Sequence, residues 1–477
     1  MKRLLLAFFL ALVLYHSLPA QAKVEDPLLL FPNPGEKEGL LYIEINDVSL
    51  MSKIISSAWL KDVMLKSGEL KEEDLISLDI FASSVKSFLS ECSLLVYFRT
   101  PSFTHLTEGG NTSRSFILLR TTYKPMDIAK ALKLNLESKG MLYKMEILGE
   151  SIYAYTGESY VILGERDDLN AILRSLRLPV KKVMGKKEAF IPKHEKSGIY
   201  AYLKAPELSM EAVGRDEGNA FTLRLRLIEG PKIAKTLPNL SRTLSATIPG
   251  KGEVIFLLAS QLDGKAIISS IKEVVPKETF ESYLSSISQS LSASEEELAT
   301  FLSGRLYLLI GGETKILGKS LPGVYLYYLS DMKGDRLQPL FQRILEVANL
   351  ESLIKPMSHP GWSVTYSMEL PETDSFIGTR ESEILIGLVS PSSLSYNISI
   401  PSHLDNLLKS SPFPIAYLSL NEVRKIIKSL EELIEAAFPE DEDLRKSFAI
   451  TTLAIPPWKE VLLIQRDQLS MDIRIIY

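Results

Sequence analysis

The sequence reads as two copies of one pattern. Leu41 to Ser57 (LYIEINDVSLMSKIISS) sets against Val254 to Ser270 (VIFLLASQLDGKAIISS) at a constant offset of 213 residues, and both stretches end in Ile-Ile-Ser-Ser, at Ile54 to Ser57 and Ile267 to Ser270. At the same offset Phe88-Leu89-Ser90 falls on Phe301-Leu302-Ser303, each just before a short apolar run. A repeat of this length constrains the fold strongly, because one local grammar has to serve both halves. What repeats is an apolar frame. No reactive side chain recurs with it, so the repeat predicts architecture and says nothing of chemistry.

The grammar is an aromatic or aliphatic strand, a polar turn, then a helix with apolar residues at helical spacing. Strands are predicted at Leu40 to Ile45, Phe116 to Leu119, Tyr160 to Leu163 and Ile199 to Leu203, and again at Val254 to Leu258, Val324 to Leu329, Ile384 to Leu388 and Ile415 to Leu420. Their starts are spaced 76, 44 and 39 residues apart in the first half and 70, 60 and 31 in the second, as duplication followed by drift in loop length would leave them. Helices are predicted over Met126 to Glu137, Asp168 to Leu176, Arg336 to Ala348 and Val423 to Ala436. In the last, Val423, Ile426, Ile427, Leu430, Leu433 and Ile434 mark one apolar face that has to pack on a sheet. A Leu-Glu-Ser precedes the third strand pair in both halves, at Leu136 to Ser138 and Leu350 to Ser352.

Gly149-Glu-Ser and Gly157-Glu-Ser are turn signals between Met145 to Gly149, Ser151 to Thr156 and Ser159 to Gly164, so adjacent strands form antiparallel hairpins. The expected class is α+β: two tandem homologous domains, residues 23–245 and 246–477, each a largely antiparallel mixed sheet covered by helices. The boundary falls between Pro238 and Gly252, where Pro-Asn-Leu-Ser and Ile-Pro-Gly-Lys-Gly break the pattern. Pro101 to Ser113 and Gly311 to Pro322 occupy equivalent places, and their Gly, Thr, Ser and Asn content predicts exposed, mobile loops.

Lys2 and Arg3, an apolar run from Leu4 to Leu14 and the small-x-small triplet Ala20-Gln21-Ala22 make a three-part export signal, residues 1–22, cleaved after Ala22. The run is too short to span a bilayer, which takes roughly 20 residues. Lys23 stands where a lipoprotein carries Cys, which excludes that anchor. The mature chain is therefore expected to be water-soluble and periplasmic or secreted. Cys92 is the sole cysteine, so no intrachain disulfide is possible; it reads as a small buried hydrophobe rather than a reactive thiol. Without Lys2 and Arg3 the chain holds 52 basic against 59 acidic residues, a balance that argues against nucleic acid as a partner.

Several stretches imitate catalytic or binding motifs without completing them. Gly312-Glu-Thr-Lys-Ile-Leu-Gly318-Lys319-Ser320 has five residues between its glycines where a phosphate loop has four, and it joins two predicted strands. Ser83 to Lys86 and Ser269 to Lys272 are Ser-x-x-Lys tetrads. With Ser395-Tyr396-Asn397 and Lys196-Ser197-Gly198 they resemble the penicillin-recognising set, but no Lys-containing triplet follows Asn397. Gly157-Glu-Ser159-Tyr-Val161 lacks the second glycine of a nucleophile elbow. His105, His194, His359 and His403 show no zinc-helix spacing. Glu440-Asp-Glu-Asp443 lacks the alternation and the glycine of a calcium loop and reads as a solvated helix start. Val324-Tyr-Leu-Tyr-Tyr-Leu329 offers rings for stacking sugars or peptides, though sheet packing is the default use of such a strand. Asn111-Thr-Ser, Asn239-Leu-Ser and Asn397-Ile-Ser match the glycosylation pattern, relevant only in a host that glycosylates.

The strand from Gly39 to Ile45 (GLLYIEI), its Asn/Asp turn, the stretch Leu302 to Ile310 and the strand Gly323 to Leu329 resemble large exported bacterial proteins classified as domains of unknown function. The likeness covers most of the mature chain and lies in apolar positions. It implies export and a duplicated fold, and it brings no catalytic residues. The sequence thus supports no catalytic, cofactor-binding or metal residue. The function expected is non-catalytic binding or scaffolding in the cell envelope or outside it, with another envelope protein as partner, held along sheet edges or the two equivalent loops. The alternatives are a carrier of a lipid or other hydrophobic ligand in an apolar groove, and a serine hydrolase built on Ser83 or Ser269. A continuous dry cavity would mark the carrier; a filled core with an exposed apolar patch would mark the partner-binding protein.

Overall fold

The structure, a computed structural model, describes residues 198–205, 208–229, 242–316, 318–437, 455–467 and 469–477, and in the first half also residues 39–45, 65, 93–100, 114–120, 126, 136–139, 142–147, 150–156, 160–164, 166–167 and 169–170. The chain divides into two compact units. One comprises Met1–Pro231, Lys446–Pro457 and Ile475–Tyr477; the other comprises Lys232–Arg445 and Trp458–Arg474.

The first unit holds β1 (Gly39–Ile45), β2 (Ser93–Thr100), β3 (Arg114–Arg120), β4 (Leu136–Lys139), β5 (Leu142–Ile147), β6 (Glu150–Thr156), β7 (Tyr160–Gly164), β8 (Ile199–Ala205), β9 (Leu208–Asp216) and β10 (Ala220–Glu229). All their pairings are antiparallel, in the order β10-β9-β8-β1-β2-β3-β7-β6-β5-β4. The second unit holds β11 (Val254–Leu262), β12 (Gly304–Ile316), β13 (Lys319–Ser330), β14 (Ile354–Pro356), β15 (Thr365–Met368), β16 (Phe376–Arg380), β17 (Glu383–Leu388), β18 (Ile415–Ser419), β19 (Glu460–Gln465) and, as far as Arg474, β20 (Ser470–Ile476). Its order is β20-β19-β18-β11-β12-β13-β17-β16-β15-β14, and the ladders from β19 to β14 are antiparallel. Adding ten to each strand number converts the first order into the second. Register agrees as well at the start of the central ladder: Leu41 faces Phe98 and Val254 faces Gly311, both pairs related by the offset of 213. A bulge between Val254 and Phe256 then shifts the second ladder by one residue.

The α+β class and the antiparallel pairing expected from the hairpin signals are both observed, and the eight predicted strands are β1, β3, β7, β8, β11, β13, β17 and β18. Six helices are described with their bounds, in the second half: α1 (Gly264–Val274), α2 (Lys277–Leu291), α3 (Glu295–Leu302), α4 (Gly334–Val347), α5 (Ser402–Ser410) and α6 (Leu420–Ala437); in the first half Leu65, Met126, Arg166, Asp167, Leu169 and Asn170 are helical. The Asp263 side chain caps α1 by accepting from the Ala266 N–H, and Ser294 with Glu297 forms a reciprocal capping box on α3. The helices predicted at Arg336 to Ala348 and Val423 to Ala436 are α4 and α6, and α6 packs against β11 and β19.

Three expectations need correction. Leu136 and Glu137, placed at the end of a helix, lie in β4 opposite Met145 and Lys144, since antiparallel pairing with β5, close in sequence, is the nearer alternative. The repeated Leu-Glu-Ser has no common conformation: Leu136 to Ser138 is strand, whereas Leu350–Leu353 is a 3-10 turn. Gly311 to Pro322 is not a mobile loop. β12 and β13 continue through it, with Thr314 opposite Leu321 and Ile316 opposite Lys319, and the glycines serve a bulge rather than a loop. The equivalent Pro101 to Ser113, and the predicted helix Asp168 to Leu176 apart from Leu169 and Asn170, lie outside the described residues.

The sheet of the second unit has two faces of different character. Register places Leu257, Ala259, Tyr307, Leu309, Tyr325, Tyr327, Leu385, Ile415 and Tyr417 on one of them, and all are buried. Leu244, Ile248, Leu394, Ile398, Leu404 and Leu408, from the segments flanking the sheet and from α5, complete this buried layer. On the opposite face α2, α3 and α4 bury Tyr328 and Ile384 with Leu337, Leu340, Phe341 and Leu345, and Leu306, Leu326 and Ile386 pack, partly buried, at the margin of this cluster. Thr379 of β16 is fully buried, and its hydroxyl has no hydrogen-bond partner. Thr379→Val keeps the shape and removes the unsatisfied group, so it is expected to raise stability by about 1 kcal/mol in urea unfolding.

Candidate functional site

The phosphate-loop imitation is a β-hairpin. Gly312 to Ile316 ends β12, Lys319 and Ser320 begin β13, and no helix follows to supply a dipole. Glu313 in this stretch lies 3.3 Å from the Lys251 ammonium and 3.1 Å from Ser320 Oγ, and these contacts hold its carboxyl below the usual range. A carboxylate within the stretch disfavours an anion there.

Ser269 and Lys272 lie on the exposed side of α1. Lys272 Nζ is 2.5 Å from Glu295 of α3 and 5.4 Å from the Phe280 ring, so it staples the helices and is not poised as a base for Ser269. Ser395 and Asn397 sit in an exposed turn, where Asn397 bridges Pro249 through its backbone. Ser83, Lys86, Lys196, Ser197, Ser159, His105, His194, Cys92 and Glu440 to Asp443 lie outside the described residues, as do residues 1–22.

One constellation that sequence spacing did not reveal gathers Ser390, Asp374 and His359. Its wiring is not that of a nucleophile and base. Ser390 Oγ donates to Asp374 Oδ2 at 2.7 Å, while the two ring nitrogens of His359 lie 3.0 Å from the Pro360 carbonyl and 2.9 Å from the Pro391 carbonyl. The imidazole therefore addresses main chain on both sides. Ser390 and Ser393 are buried, which closes them to a substrate. His403, at the start of α5, pairs with Glu460 of β19 at 2.8 Å and meets the Tyr417 ring edge-on. Among the described residues no group of three or more His, Cys, Asp or Glu is placed to hold a metal ion.

The Tyr-rich strand packs the core. Tyr325 Oη donates to the Pro249 carbonyl at 2.9 Å, Tyr307 Oη to the Leu244 carbonyl at 2.7 Å and Tyr328 Oη to the Phe301 carbonyl at 2.7 Å. Each ring fills the interior while its hydroxyl ties a neighbouring element to the sheet, an irregular segment for Tyr325 and Tyr307 and the end of α3 for Tyr328. Arg305 does the same for the Ser245 carbonyl. Burial pushes the Tyr307 phenol up to about 12 and those of Tyr325, Tyr327, Tyr328 and Tyr417 higher still.

The surface best suited to recognition is the central part of the opposite face of this sheet. Register aligns Val461, Leu418, Phe256, Ile310, Val324 and Leu388 in one row across six strands, and Leu463, Ala416, Leu258, Leu308, Leu326 and Ile386 in the next. Six strands span about 24 Å at the usual spacing. Neither row contains a polar side chain. Leu308, Val324 and Leu463 expose 38%, 47% and 36% of their surface, although Leu308 and Val324 belong to strands paired on both sides. The sequence carried the signal in the near-continuous apolar run Leu306 to Ile310, which is the pattern of a strand apolar on both faces. The edge strand β14 is a poorer docking site: it is three residues long, ends in Pro356, and carries Lys355 paired with Glu369.

No family model matches the chain, and no curated protein or solved structure does. Among the described residues no helix is long and apolar enough to cross a membrane.

Proposed function

We propose that this is an exported, non-catalytic binding protein built from two copies of one α+β domain, and that it docks a protein partner on the apolar sheet face around Leu308 and Val324. The duplication reading is supported by the common strand order and by the shared 213-residue offset in sequence and register. Export is supported by the leader-like residues 1–22. The observation that carries the binding reading is the contrast between the two faces of one sheet, the first filled by tyrosines and aliphatic residues, the second holding exposed Leu308 and Val324 at its centre. Lys272, Ser390, His359 and His403 are engaged in structural contacts, which supports binding over chemistry.

Native mass spectrometry of the protein drawn gently from its own host, before and after denaturing, tests this. A defined protein partner in fixed stoichiometry is expected. The double variant Leu308→Asp with Val324→Asp is expected to weaken that complex at least about thirtyfold, as loss of central apolar anchors does. Its melting temperature should stay close to that of the parent, because both side chains already meet water. A small-molecule mass released on denaturing would make the protein a carrier instead, and a bare monomer would overturn the docking proposal.

A further inference from the structure

Along β13 the residues on the sheet face that α2, α3 and α4 cover lose that cover step by step: Tyr328 is 7% exposed, Leu326 is half-buried and Val324 is 47% exposed. Tyr328 and Ile384 sit inside the helix-packed cluster, Leu306, Leu326 and Ile386 at its margin, and Leu308, Ile310, Val324 and Leu388 beyond it. The apolar surface is therefore continuous, while the helical layer stops part-way along the strands. The two apolar rows lie about 7 Å apart along the strands and make a band about as wide as one helix. Resting on the docking reading above, we propose that the partner fills this band with a single amphipathic α-helix, which extends the layer that α2, α3 and α4 begin.

Backbone chemistry selects a helix over other occupants. Leu308 pairs with Leu258 and Leu326, and Val324 with Ile310 and Leu388, so β12 and β13 have a strand on both sides here and offer an arriving segment no free ladder. The two rows hold only apolar side chains, so no side chain in them takes the place of a ladder. An extended or irregular segment laid on this face would bury N–H and C=O groups without partners. A helix satisfies those groups within itself and turns only side chains toward the sheet. The band asks of that helix one stripe of aliphatic or aromatic residues at i, i+3, i+4 and i+7, with its polar side left to water.

Val324→p-benzoylphenylalanine and Leu308→p-benzoylphenylalanine, introduced one at a time into the whole protein in its own host, photo-crosslink whatever occupies the band, and fragment mass spectrometry reads the residues attached. Both positions are expected to capture one partner segment, at residues three, four or seven apart. A proline placed in the middle of that segment should weaken the complex about a hundredfold, as proline in a helix interior does. Attachment at every second residue, attachment scattered over several segments, or attachment to the sheet face of a second copy of this chain would overturn the helix and leave a docking face. Attachment to lipid, or to no protein at either position, would overturn the docking reading and the helix with it. Hydrogen exchange of the unsubstituted complex gives the same answer without a variant. A run of about ten consecutive protected amides in the partner segment is expected, and protection at alternate amides would overturn the helix.

Discussion

Gly264→Ala is expected to lower the unfolding free energy by about 3–5 kcal/mol, the range of a backbone overlap that local adjustment cannot relieve. Gly264 opens α1 where that helix meets α3. A Cβ there would lie 1.9 Å from the Ala299 carbonyl oxygen and 2.7 Å from the carbonyl carbon, both main-chain atoms in the middle of α3. The same junction is held by Ser303, whose Oγ accepts from the Gly264 N–H at 2.9 Å and donates to the Ala299 carbonyl at 2.8 Å. An alanine would force α1 away from α3, break this bridge and open the small cluster of Ile268, Phe280 and Ala299 beneath it. Lys265→Ala, one residue on and exposed, is the control expected to stay within about 0.5 kcal/mol of the parent. Urea unfolding followed by circular dichroism measures both. Equal stability of the two variants would show that the α1–α3 layer tolerates displacement and that the tight approach is not needed.

The junction also explains what the repeat in the sequence was recording. Ile-Ile-Ser-Ser places Ile268 on the inner side of α1, and Phe-Leu-Ser places Ser303 at the hydrogen-bonded meeting of α1 and α3. The recurring tetrapeptide and tripeptide are thus packing and capping residues in the second half, consistent with a frame that carries no chemistry. Strands were legible where apolar runs were bounded by turn residues, as at β11, β13 and β17, although β19, also such a run, was missed. α2 and α5 were not. α2 (KETFESYLSSISQSL) is rich in Ser and leaves Tyr283 and Ile287 exposed beside its buried Phe280 and Leu291, so its periodicity is blurred. β12 was half legible: Leu306 to Ile310 stood out, but glycines at 311 and 312 suggested a loop where the chain needed a bulge with positive φ at Gly312. Ser390 with Asp374 and His359 with Pro391 lie 16 and 32 residues apart and depend on how β16 and β17 pair, which no local spacing encodes. The exposed centre of the sheet was hidden for a related reason. Alternation reports which residues share a face, whereas exposure depends on which helices arrive to cover it.

Above pH 10 the protein is expected to lose stability steeply through its buried tyrosines. Tyr307, Tyr325 and Tyr327 expose at most 1% of their surface, and burial is the first cause of each raised phenol. The Glu383 carboxylate near Tyr327 adds to it, disfavouring a second negative charge. A phenol whose folded value lies above the unfolded value of about 10 holds its proton more tightly in the folded state, so its contribution is complete below pH 10 and is lost as pH rises toward the folded value. For Tyr307, pushed up to about 12, the window runs from about pH 10 to about 12 and the loss reaches roughly 3 kcal/mol. With Tyr325 and Tyr327 titrating later still, the three together cost about 4 kcal/mol for each pH unit above 10. Over the two pH units above 10 that amounts to about 8 kcal/mol, within the usual domain stability of about 5–15 kcal/mol and so enough to unfold a second unit of ordinary stability. Tyrosinate absorbance and circular dichroism recorded together across an alkaline titration separate the two populations of phenol. The buried phenols of Tyr307, Tyr325 and Tyr327 should ionise only as ellipticity is lost, in one cooperative step. Smooth ionisation of every tyrosine near pH 10 with ellipticity preserved would mean that the tyrosine-pinned layer opens to water in the native state, and the filled face could no longer be set against the exposed one.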